Sequence, residues 1–71
     1  MQYYVIFQPK EPGRNYIFYY AGNNCWDRTG NEKNNGIKYM SLVDALIFKG
    51  DIHRTGYDKD YYYAPKIMVR E

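Results

Sequence analysis

The chain has 71 residues, a formal charge of +2, and 10 tyrosines against a single cysteine, Cys25. A chain this short makes one domain, spanning residues 1–71, that buries only about 60% of its unfolded surface. The near-balanced charge excludes a DNA mimic, the lone cysteine excludes an internal disulfide, and no run approaches the ~20 apolar residues of a membrane span. No Cys/His cluster points to a metal or other cofactor, so stability has to come from packing, assisted or not by self-association.

The chain opens directly on a strand pattern, with no basic region ahead of an apolar core, so the expected location is the cytoplasm of a host cell. Residues 3–8 alternate, with Tyr3, Val5 and Phe7 on one face and Tyr4, Ile6 and Gln8 on the other. Pro12-Gly13 fits the central pair of a type II turn. Residues 15–21 then return as a second strand, forming an antiparallel hairpin. Residues 22–36 are polar and rich in asparagine (Asn23, Asn24, Asn31, Asn34 and Asn35, with Gly30 among them) and read as a loop. Trp26 stands out there, either folding back to cap the core or standing exposed as a binding anchor.

Ser41-Leu42-Val43-Asp44 opens the one convincing helix, with Ser41 as cap and Asp44 in the first turn. Leu42, Ala45, Leu46 and Lys49 form a stripe that Val43, Ile47 and Phe48 widen, which predicts a largely buried helix ending at Gly50. Residues 51–60 read as a polar loop. Residues 61–70 form the last strand, which Pro65 forces to an edge or a bulge because proline cannot donate to a ladder. The expected fold is α+β: a small antiparallel sheet in ββαβ order with one helix packed on one face. A short extra strand around residues 37–40 is compatible with that order.

No residue pattern specifies a reaction. His53 has one nearby carboxylate in sequence, Asp51, and reads as a solvent-exposed loop residue. Cys25 lacks an evident base, Asp44 is explained by capping, Asp58 and Asp60 read as a solvated turn, and no glycine-rich phosphate loop is present. The expectation is a non-enzymatic protein with no catalytic residues.

Tyrosine in strands points to contact instead, because its ring is apolar and its tip polar. Strands with large side chains on both faces leave one face without a helix to cover it. That face, an edge strand at Pro65 and the loop carrying Trp26 fit a protein-binding module or a homodimer. The candidate partner contacts are Tyr4, Tyr19, Tyr20, Trp26, Tyr62 and Arg70. The alternative is nucleic acid, with rings stacking on bases inside a frame of Lys10, Arg14, Lys38, Lys66 and Arg70.

Two resemblances bear on this choice. Tyr3-Tyr4-Val5-Ile6, a turn, an aromatic second strand, Trp26, then Ser41-Leu42-Val43-Asp44-Ala45 and a closing strand resemble the layout of small ββαβ orphan proteins of bacteriophages. Characterised members include anti-CRISPR and other anti-defence inhibitors, and the resemblance implies stoichiometric blocking of a host or defence-system protein. Tyr3-Tyr4-Val5, Pro12-Gly13, Tyr16, Trp26 and Gly36-Ile37-Lys38-Tyr39 before the helix are also similar to the hybrid-binding domain found beside ribonuclease H and in viroplasmin. That second resemblance implies a grip on RNA–DNA duplexes. The chain departs from it in a longer hairpin turn, a shorter spacing between Tyr39 and the helix, and Asn23, Asn24 and Asp27 around the tryptophan.

Overall fold

A computed structural model describes residues 1–13, 16–28 and 36–70. It shows the α+β fold expected: a four-stranded antiparallel sheet and one helix, in the order β1 (Tyr3–Phe7), β2 (Phe18–Gly22), β3 (Cys25–Arg28), α1 (Leu42–Thr55) and β4 (Lys66–Val69). The sheet order is β3-β2-β1-β4. Arg14, Asn15, Gly30, Asn31, Asn34 and Asn35, named above for the turn, strand and loop, lie outside the described residues.

The first hairpin forms, with Ile6 opposite Tyr19 and Phe7 opposite Phe18. Gly13 takes a φ of 82°, the left-handed value that a type II turn requires of its glycine. β2 starts at Phe18, later than its alternation indicated, and runs straight into a second hairpin. Cys25–Arg28 therefore pairs as a strand where a loop was expected. Asn23 and Asn24 have φ of 52° and 59°, and two consecutive positive values are what a type I′ hairpin turn demands.

Past Ile6 and Tyr19 toward the open end of the first hairpin, β1 and β2 separate, and residues 38–40 fill the gap. Tyr3 and Met40 exchange two backbone bonds of 2.8 Å each, and the Lys38 amide donates to the Tyr20 carbonyl at 2.8 Å. The extra strand near residues 37–40 is thus realised as a bridge. Pro65 acts as its chemistry requires. Pro9 faces Tyr62 while Ile6 faces Lys66, so four residue steps on one chain oppose three on the other, and the ladder bulges at Ala64-Pro65.

α1 is capped as expected: the Asp44 amide donates to Ser41 Oγ at 3.1 Å. It does not stop at Gly50. The extra turn brings Ile52 onto the sheet side, and the helix ends at Gly56, whose φ is 97° and whose amide donates to the Ile52 carbonyl. Glycine ends a helix only where the chain needs a conformation other residues resist. Gly50 is in regular helix, and that need arises at Gly56.

Under α1 the core is aromatic. Phe48 lies 4.2 Å from Tyr20 and 6.1 Å from Trp26, measured between ring centroids, while Phe7 touches Trp26, Tyr57 and Tyr62. Val5 and Ala45 are fully buried where helix and sheet meet.

Candidate functional site

Among the described residues, the most exposed apolar surface of regular structure is the outer face of α1. Helical residues advance by about 100° each, so Ala45, Phe48 and Ile52 share one stripe and meet the sheet. Leu42, Val43, Leu46 and Ile47 point the other way, around Gly50, and are 44%, 65%, 55% and 59% exposed. The expectation of a largely buried helix is corrected here: of its residues only Ala45 is buried. The physical reason is that a single sheet touches one side of a helix. Apolar residues on nearly every side then leave half of them in water.

Gly50 gives this face a shallow notch, since a methyl group there would meet nothing within 4 Å. Asp44 and Asp51 flank the face on one side, and Lys49 and His53 flank it on the other, as helical spacing dictates. Arg54 pairs with Asp51 at 2.7 Å. Both are solvent-exposed, so the pair adds little to stability. Each of the four aliphatic side chains retains about 1 kcal/mol of unrealised burial, which a docking surface would recover.

Five of the six contact residues read from sequence fall into two groups. Tyr20, Trp26 and Tyr62 are half-buried members of the aromatic core on the helix side. Trp26 therefore takes the role of cap over the core. Tyr4 and Arg70 lie near each other through Tyr39: the Tyr4 and Tyr39 rings meet edge-on at 5.8 Å, and the Arg70 guanidinium stands 4.5 Å from the Tyr39 centroid.

Tyr19 is corrected. It lies on the sheet face away from α1, yet it is 3% exposed and has no ring surface to offer. That face is covered at this point, since a methyl group on Gly36 would collide with the Asp27 carboxylate and meet Ala21. Burial pushes the Tyr19 hydroxyl above its ordinary value of 10.0, with Asp27 and Tyr39 adding to the rise.

An open cleft of about 520 Å³ lies beside the bulge, lined by Gln8, Lys49, Tyr63, Ala64, Pro65 and Lys66. Lys10 Nζ stands 5.5 Å from the centroid of the Tyr63 ring. Cys25 is exposed on β3, while His53, expected in a loop, belongs to the last turn of α1 and meets Tyr57 edge-on at 5.7 Å. Among the described residues no group of three potential metal ligands comes together, and no helix is long and apolar enough to cross a membrane.

The α1 face was missed because periodicity cannot say which of two apolar stripes meets the sheet. Its signal was the surplus of apolar residues over what one stripe needs. No protein-family model matches the chain, and neither a curated protein nor a solved structure matches it.

Proposed function

We propose that the chain is a non-enzymatic protein-binding module, of the phage-inhibitor kind, that blocks a host or defence-system protein by stoichiometric binding. The observation that carries this reading is the outer face of α1, with four aliphatic side chains 44–65% exposed side by side. Contiguous apolar surface on a small protein marks a place where another protein sits, and an amphipathic helix laid in an apolar groove is a recurrent way of using it. Tyr4 and Arg70 supply a second, polar-aromatic contact area around Tyr39.

The test is capture of the partner from host lysate by tagged chain, with and without nuclease, beside the double variant Leu46→Glu/Ile47→Glu. One stoichiometric protein, retained after nuclease and lost with the variant, is the expected result. Equal recovery by the variant would overturn the role of the helix face.

The alternative is nucleic-acid binding through Tyr4, Tyr39 and Arg70, favoured by the cation lying against half-buried aromatic groups. It predicts recovery that vanishes with nuclease and affinity that falls steeply as salt rises. The apolar helix face has no part in that reading, which is why protein binding ranks first. A homodimer predicts instead a concentration-dependent mass and no other captured partner.

A further inference from the structure

β4 is one edge of the sheet, and among the described residues only β1 pairs with it. The Arg70 amide donates to the Gln2 carbonyl at 2.8 Å, which sets the phase of the ladder. Backbone groups in an antiparallel pair alternate in direction, so Lys66, Met68 and Arg70 turn theirs toward β1. Ile67 and Val69 turn their amide and carbonyl groups outward, where they are ready to pair with another strand.

The side chains along this edge specify what could pair there. Met68 and Val69 are 38% and 40% exposed. Lys66, Met68 and Arg70 share one face of the strand by alternation, placing a cation on either side of an apolar residue. Arg70 is held in position, with Nη1 donating to Gln2 Oε1 at 2.7 Å and the guanidinium against Tyr39. Ile6 faces Lys66 and Tyr4 faces Met68, so the Lys66, Met68 and Arg70 side chains lie on the sheet face away from α1, while Lys49 of the helix meets Lys66 only at the cleft beside the bulge. Leu42, Leu46 and Lys49 form one i, i+4, i+7 stripe, so the β4 side of α1 continues the apolar surface above the strand. Asp44 and Asp51 lie on the other side of the helix.

We infer that β4 is a docking edge for an extended segment of a partner protein in which acidic and apolar side chains alternate. The segment adds a fifth strand, its backbone bonding to Ile67 and Val69 and its carboxylates facing Lys66 and Arg70. The inference deepens the protein-binding reading and rests on it. A second copy of this chain fits poorly in the register that uses both outward-facing residues. Antiparallel self-pairing of Ile67 with Val69 would set Lys66 directly opposite Arg70 of the second copy, and like charges facing across a ladder repel.

The test titrates the full chain with the blocked peptide Glu-Val-Glu-Val-Glu, followed through backbone amide chemical shifts. Shifts concentrated at residues 66–70 are expected, with the Lys-Val-Lys-Val-Lys peptide binding at least about tenfold more weakly. The variant Lys66→Glu/Arg70→Glu should invert that preference, and this gain cannot come from unfolding. N-methylation of the acidic peptide at the positions that pair should abolish binding. Equal binding of both peptides, unchanged binding after N-methylation, or no binding by the acidic peptide would each overturn the inference. Shifts at residues 66–70 that follow the protein's own concentration would overturn it in favour of self-pairing. If the captured partner is lost with Leu46→Glu/Ile47→Glu yet retained by Lys66→Glu/Arg70→Glu, this inference fails while the protein-binding reading stands.

Discussion

The Trp26 ring rests 4.8 Å from Phe7, centroid to centroid, and so ties the edge strand β3 to the middle of the sheet. Tyr20 and Phe48 complete the contact from β2 and α1. Replacing Trp26 with alanine removes one side of this cluster. The expected loss is about 2–3 kcal/mol, below that of a fully buried tryptophan because Trp26 is only half-buried. Trp26→Phe should lose less than half of that. Urea unfolding followed by circular dichroism measures both. A loss under about 0.5 kcal/mol for the alanine variant would return Trp26 to the status of an exposed anchor.

Gly50 and Gly56 should respond to alanine in opposite directions. Gly50 is in regular helix with open space around its Cβ position. Alanine there removes backbone freedom from the unfolded chain and should stabilise by about 0.5–1 kcal/mol. Gly56 has equally open space but a φ of 97°. Alanine there is strained and should destabilise by about 1–2 kcal/mol. Thermal unfolding of the two variants side by side checks the pair. A shared sign would mean that the helix ends elsewhere.

The second hairpin supplies a third expectation. Asn23 and Asn24 both occupy the left-handed region, which asparagine tolerates and glycine prefers. Asn24→Gly should therefore hold or slightly raise stability. Asn24→Val, branched at Cβ, should lower it by about 1–2 kcal/mol. Amide exchange at residues 25–28 reads the same effect locally, because fraying of the turn exposes β3 first.

These contrasts show which parts of the molecule could be read along the chain. The first hairpin, the Ser41 cap and the bulge at Pro65 follow from local chemistry: a Pro-Gly pair, a hydroxyl three residues before an amide, and a residue without an N–H. β3 was obscured because Cys25, Asp27 and Arg28 carry no strand pattern. Its legible clue was the Asn23-Asn24 pair between two aromatic stretches. The length of α1 was hidden by taking Gly50 as a stop, when the helix runs on to Thr55 with Ile52 half-buried, a matter of tertiary packing. Of the candidate contacts, Tyr19 lies on the face away from the helix, which local alternation leaves open. Alternation could not show that residues 36–40 return to cover that face, since such a return is non-local.

Tyr19 also links that coverage to pH. Its hydroxyl is raised above 10.0, chiefly by burial, so the fold favours the protonated form. In the unfolded chain the same group ionises near 10.0. Below that value both states hold the proton and the contribution is complete. As pH rises from there through the folded value, the unfolded state releases its proton first and stability falls. The chain should therefore lose stability at alkaline pH more steeply than the variant Tyr19→Phe, which keeps the ring and cannot ionise. Urea unfolding of both proteins from neutral pH to about pH 11 makes the comparison. The decisive quantity is the difference between them, which should shift in favour of the variant only above pH 10.0. A constant difference would mean that Tyr19 ionises as freely in the fold as outside it.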